Sequence, residues 1–211
     1  MTGLRRLAVM AVLLWLSSPA YAEDGYENHF ASVLLDGKKI GNVHYTVKHD
    51  EQGQVEELRT KASLSMLGVK LYDFSQHLKE QWASGELQSM SGDTDDDGTK
   101  YAMTLTLTPT AYDASVNDEP VTLPYNAFPI SLWHYAITEQ SLLFNLTDLE
   151  LMEVTVTAQT DTIKWGDKDL ETERFDFVGG WEGSVWFDGN KDFVKARYES
   201  NKRQVIVEMD P

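Results

Sequence analysis

The stretch "YAMTLTLT", residues 101–108, decides the fold class. Tyr101, Met103, Leu105 and Leu107 alternate with Ala102, Thr104, Thr106 and Thr108. A period of two is the signature of a strand with one face buried. Only one of its faces is strongly apolar, which is the pattern of antiparallel sheets; parallel strands give continuous apolar runs. The same alternation recurs through Ala62, Leu64 and Met66, and through Val154, Val156 and Ala158.

Turn chemistry punctuates the chain between these runs. Asp36-Gly37 separates "HFASVLL" from "KKIGNVHYTV", and Asp-Gly between alternating runs is a strong hairpin signal. Further turns are expected at Asp50–Gly53, Ser84-Gly85, Asp95–Gly98, Val116–Pro120, Gly166-Asp167, Gly179-Gly180 and Asp188–Asn190. Many short strands at this spacing predict an all-β, mainly antiparallel fold: a strongly curved meander sheet or an open β-barrel. One segment breaks the pattern. "LPYNAFPISLWHYAITEQ" carries two prolines before an apolar stretch. It predicts one short helix near residues 129–137, capped by Ser131 and plugging one end of the sheet.

The N-terminus reads as an export signal. Arg5 and Arg6 precede the apolar run Leu7–Leu16, and Ala20-Tyr21-Ala22 is a cleavage signal. The run is too short to span a bilayer, which takes about 20 apolar residues. Residues 1–22 are therefore expected to be a signal peptide, cleaved after Ala22, with 23–211 forming a single β-rich domain. The expected product is a soluble periplasmic monomer with no transmembrane segment.

The chain is acidic, with a formal net charge of −16, and loss of the two leader arginines takes it to −18. Such a surface repels nucleic acid and anionic headgroups over a Debye length of about 8–10 Å. A nucleic-acid partner is excluded on this ground. The sequence has no Cys, so neither a disulfide framework nor a cysteine nucleophile is available.

"GDTDDDGTKY", residues 92–101, opens like a calcium loop. Asp93, Asp95 and Asp97 would occupy positions 1, 3 and 5 and Gly98 position 6, but Thr104 stands where the bidentate Glu belongs. Strands rather than helices flank it. The polar hairpin is the expected reading, with Asp93, Asp95 and Asp97 kept as weak calcium candidates.

Catalytic signatures such as G-x-S-x-G and G-x-G-x-x-G do not occur. The five histidines form no closely spaced pair, so local spacing supports no zinc site, and no cofactor is expected. His134, beside Trp133, is the histidine closest to a chemical role. The run Asp167, Asp169, Glu171 and Glu173 is expected on a solvated face, because an unpaired acidic ladder in a core is costly. Tryptophans and methionines on the apolar faces fit either an ordinary β-core or the lining of a cavity.

Three stretches in order carry a resemblance: "LDGKKIGNVHYTV" (35–47), "KEQWASGELQSMSGDTDDDGTKY" (79–101) and "VWFDGNKDFVKARYE" (185–199). Together they resemble a family of exported proteobacterial proteins described as a domain of unknown function. Its pattern is D-G-k-x-I-G, then E-x-W-x-x-G-x-L and T-x-x-x-G, then W-[YF]-D-x-x-G. In the last element this chain departs: Gly189 follows Asp188 directly and Asp192 replaces the later glycine. The resemblance implies a curved antiparallel sheet or open barrel, remotely similar to periplasmic lipoprotein carriers whose half-barrels hold acyl chains.

Three functions remain open. The first is a non-catalytic protein binding a lipid or other apolar ligand in the curved sheet, with Trp82, Tyr101, Met103, Trp133 and His134 as lining residues. The second is a structural or interaction module of the envelope with a solid core and a protein partner. The third is a hydrolase using His134 with a nearby carboxylate. A filled interior favours the module, an empty apolar one the carrier, and a polar cleft at His134 the enzyme.

Overall fold

The computed structural model describes residues 26–50, 53–200 and 202–211. The export signal expected at 1–22 lies outside the described residues, as does the centre of the turn expected at 50–53.

The strands are β1 (Tyr26–Leu35), β2 (Lys38–Asp50), β3 (Gly53–Met66), β4 (Val69–Ala83), β5 (Glu86–Asp96), β6 (Thr99–Leu107), β7 (Ala111–Val116), β8 (Glu119–Pro124), β9 (Phe128–Pro129), β10 (Leu142–Phe144), β11 (Leu151–Trp165), β12 (Lys168–Gly179), β13 (Gly183–Phe187), β14 (Phe193–Ser200) and β15 (Arg203–Met209). They form one 15-stranded sheet in the order β8 through β1, then β15 down to β9. The chain meanders outward from both sides of the β1–β15 pair. Every neighbouring pair is antiparallel except β9–β10. The all-β, mainly antiparallel expectation holds.

Among the described residues, five hairpins close through two-residue turns with both residues at positive φ: Asp36-Gly37, Leu67-Gly68, Ser84-Gly85, Asp97-Gly98 and Asn117-Asp118. Such turns match the right-handed twist of the strands they join. At Asp97-Gly98 the φ values are 52° and 92°, and Gly98 N donates to Asp95 Oδ1 at 2.8 Å. The acidic stretch is thus a tight hairpin.

The sheet curls without closing. Its two edges are β8 and β9, separated in sequence only by residues 125–127. Prolines 120, 124 and 129 sit on these edges, where a missing N–H disturbs no central ladder. The chain crosses from one edge to the other and then enters the curl as a plug. Trp133 stacks on Tyr45 with ring centres 4.7 Å apart and 7° between planes. Tyr135 meets the edges of Phe175 and Phe187, and Ile137 is fully buried.

The plug's helix differs from expectation. It is a single 3-10 turn, Tyr135–Glu139, preceded by His134 in an extended conformation with no side-chain cap. Ser131 caps nothing; its hydroxyl donates to Glu80 at 2.7 Å. A buried carboxylate acceptor outcompetes a short helix terminus for that hydroxyl.

Side chains fill the interior in two clusters. One gathers Val43, Ile137, Phe175, Phe177, Val185 and Phe187. The other gathers Leu78, Trp82, Met90, Met103, Leu105 and Phe144. Leu58 and Phe128 pack against both. Glu171 and Glu173 are exposed, as expected for a solvated acidic face.

Candidate functional site

The register between β3 and β4 pairs Gln54 with Trp82, Glu56 with Glu80 and Leu58 with Leu78. Directly opposed residues on an antiparallel pair project from the same face. Here that face is the inside of the curl, so two carboxylates meet within the core. Glu56 is 2% exposed and Glu80 5%.

Each carboxylate is held at both oxygens. Glu56 Oε1 accepts from Gln54 Nε2, and its Oε2 lies 2.9 Å from His134 Nε2. Glu80 Oε2 accepts from Trp82 Nε1 at 2.8 Å, and its Oε1 from Ser131. The imidazole lies against the Trp82 ring at 4.1 Å and meets Phe128 edge-on at 6.4 Å. Three strands and the plug therefore converge on one polar cluster, with Tyr45 of β2 beside Glu56.

The electrostatics follow from burial. Among the described residues no Lys or Arg forms an ion pair with either carboxylate; the one cationic partner is His134. Burial and the neighbouring Glu56 charge push the Glu80 carboxyl up, against the opposing pull of His134, Ser131 and Trp82. Burial pulls His134 down, but the hydrogen bond to Glu56 and the charges of both carboxylates outweigh it and raise the imidazole. Burial and Glu56 push the Tyr45 phenol well above its ordinary value. One oxygen of each of Glu56 and Glu80 and one nitrogen of His134 lie within 4.8 Å of one another, so among the described residues this is the set that could hold a metal ion.

The cluster is a closed knot, not an open polar cleft. Ser131 donates to Glu80, and His134 pairs with Glu56, so no hydroxyl–imidazole relay of the acyl-transfer kind is assembled here. Trp82 and Phe128 also line a separate cleft of about 170 Å³ with Leu87, Tyr112, Tyr125 and Ala127.

The residues singled out from sequence separate into three places. Trp82 and His134 touch, and Trp133 adjoins them through Tyr45. Met103 lies in the second core cluster. Tyr101, Asp93 and Asp95 line a broad groove of about 540 Å³ with Arg59, Lys61 and His77, while Asp97 is spent on the hairpin turn. Glu56, Gln54 and Tyr45 were not singled out, Glu80 was noted only as the first residue of the E-x-W stretch, and Ser131 only as a helix cap. Their signal was phase: Glu56 falls in step with Leu58 and Ala62, and Glu80 with Leu78 and Trp82.

Residues 32–209 match the sequence profile of the domain of unknown function DUF6134. The chain belongs to the DUF6134 family. No curated protein matches it. The DUF6134 chain is similar in fold to the crystal structure of a beta-barrel-like protein of the domain of unknown function DUF1849 from Brucella abortus. The TM-score is 0.58 at 9% identity, over 87% of this chain and 94% of that one. In this DUF6134 member the E-x-W stretch noted in the sequence is Glu80-Gln81-Trp82, whose first and last side chains bond to each other at the buried cluster.

Proposed function

We propose that this DUF6134 protein is an exported, non-catalytic module of the cell envelope that docks a protein partner through the tip of its β3–β4 hairpin. The observation that carries it is the exposure of that tip. Leu67 is 97% exposed, Met66 and Val69 61% each and Leu71 48%. Single exposed apolar residues are ordinary, whereas a contiguous patch marks an interaction site.

Charge selects the partner's chemistry. The patch is rimmed by carboxylates: Asp73 on the same hairpin, and Asp95, Asp96 and Asp97 on the adjoining β5–β6 hairpin, where Asp97 N bonds Asp73 O. Lys70 is already paired with Asp73 at 2.7 Å. An apolar groove with a basic rim fits this tip, and an anionic lipid surface does not. The filled interior supports a module over a carrier. Small-molecule pockets usually run to about 300–1,000 Å³ and are mostly apolar; the cleft beside Trp82 offers about 170 Å³, and the groove of about 540 Å³ at Tyr101 is lined mainly by polar and charged side chains such as Arg59, Lys61, His77, Asp93 and Asp95. Export to the periplasm rests on Arg5, Arg6, the apolar run and the Ala22 cleavage signal.

The test is a photo-crosslinker placed at residue 67 in living cells, with residue 178 as an exposed control. The expected outcome is one protein adduct at 67 that weakens with salt and disappears on Leu71→Asp. Identical adducts at both positions, or lipid adducts alone at 67, overturn the proposal.

A further inference from the structure

We propose that Glu56, Glu80 and His134 form a binding site for one first-row divalent cation, which ties the plug to the β3–β4 ladder. Two independent observations converge on it.

The first is geometry. Glu56 Oε1 and Glu80 Oε2 are engaged by donors on the same strands, Gln54 and Trp82. Of the remaining oxygens, Glu56 Oε2 lies 2.9 Å from His134 Nε2 and Glu80 Oε1 accepts from Ser131, and one ligand atom from each of Glu56, Glu80 and His134 lies within 4.8 Å of the other two. Ligating carboxylates are typically oriented this way, one oxygen on the ion and the other on a protein donor. Zinc takes carboxylate oxygen and imidazole nitrogen at about 2.0–2.2 Å. An ion at that distance from all three atoms requires the 2.9 Å Glu56–His134 contact to open, the wider spacings of up to 4.8 Å to close, and Ser131 to give way.

The second is charge. With both carboxylates ionised, the cluster keeps a net negative charge even when the imidazole is protonated. That excess lies among side chains 2% and 5% exposed, with no Lys or Arg ion-paired to either carboxylate among the described residues. Isolated buried charge is costly enough that it is neutralised by a proton or by a cation. A divalent ion removes the excess completely and replaces the repulsion between opposed carboxylates with two attractions. His134 is 19% exposed, which gives the ion a way in. An oxygen–nitrogen set without thiolate suits Zn²⁺, Mn²⁺ or Fe²⁺.

The test uses the exported chain, stripped with EDTA, then given excess ZnCl₂ or, separately, MnCl₂, and gel-filtered before elemental analysis. One retained equivalent of either metal and a melting temperature raised by several degrees are expected. Glu80→Gln keeps the side chain's size and should weaken binding beyond the about 10–100-fold that loss of an outer partner costs. If that variant does not fold, Glu56→Asp, which withdraws the carboxylate by one methylene, serves instead. The double variant Asp93→Asn/Asp95→Asn should bind as the wild type does. Folded wild type that retains neither metal, with its melting temperature unmoved, overturns the proposal: a proton then neutralises the pair. Equal retention by Glu80→Gln overturns it too, by placing the metal elsewhere.

Discussion

Glu56 and Glu80 face each other directly across the β3–β4 ladder, inside the core, and the imidazole that reaches Glu56 comes from His134, 78 residues away. Removing that imidazole leaves a buried carboxylate without its cationic partner and takes a ring from the face of Trp82. His134→Ala is expected to destabilise the protein by about 3–5 kcal/mol, the usual cost of breaking a buried pair from one side. Urea denaturation followed by tryptophan fluorescence measures it. A loss below about 1 kcal/mol, the range of exposed ion pairs, would mean the pair contributes no more than a surface contact.

The sheet was legible in the sequence because its period and turns are local properties. "YAMTLTLT" alternates whatever it packs against, and Asp36-Gly37 and Asp97-Gly98 demand left-handed backbone wherever they lie. The Leu67-Gly68 turn was missed because a leucine at φ 52° carries no turn signal of its own. The site was not legible for a different reason. His134 and Trp82 stood out as residue types, but their contact depends on how far the sheet curls and where the plug enters. Glu56 and Glu80 looked like two more acids in an acidic chain. Only the pairing register places them opposite one another, and that register is set by the unsignalled Leu67-Gly68 turn and the shift between Leu64 and Ser65 beside it. The helix expected at 129–137 failed because Ser131 had a stronger acceptor in Glu80 than any backbone N–H.

Gly92 lies where β5 passes over the second core cluster. A Cβ there would overlap Leu78 Cδ2 and come within 3.0 Å of Met103 Cε. Leu78 is fully buried and has nowhere to retreat. Gly92→Ala is therefore expected to cost about 1–3 kcal/mol, as overpacking does. Paired with Met103→Ala, which removes one of the two obstructing side chains, it should cost less than the two changes summed. A double-mutant cycle by chemical denaturation reads the coupling, and strict additivity would show that Gly92 and Met103 do not share that space.

At the β3–β4 tip, folding and docking should separate. Leu67 is 97% exposed and touches the core with nothing, so Leu67→Asp is expected to change stability by no more than about 0.5 kcal/mol. The same change puts a charge in the centre of the apolar patch and adds to the carboxylate rim. With the crosslinker moved to position 71, loss of its salt-sensitive protein adduct on Leu67→Asp, with the melting temperature unchanged, is the expected pair of results. A large drop in melting temperature would instead assign Leu67 a structural role.

Asp176 offers a pH dependence remote from the buried cluster. Burial raises its carboxyl, but hydrogen bonds from Ser184, Arg174 and Gln159 outweigh that and hold it below the ordinary carboxylate value. A carboxyl lowered in the folded state binds its proton more readily when the chain unfolds. Its contribution to stability is complete above the unfolded value, near pH 4 by an ordinary Asp of about 3.9, and is lost as pH falls through the lower folded value. Both partners are about three-quarters buried, with side-chain exposures of 26% and 24% for Arg174 and Asp176, and the pair is worth about 1 kcal/mol. Asp176→Asn should therefore lower stability at pH 7 by about that amount. The gap to wild type should narrow as the solution is acidified below pH 4, because wild type then carries a protonated, uncharged side chain as well. Melting curves from pH 7 to pH 2.5 test this. A gap that stays constant across the range would mean that Asp176 stabilises the β12–β13 pairing through shape and hydrogen bonding alone, with no contribution from its charge.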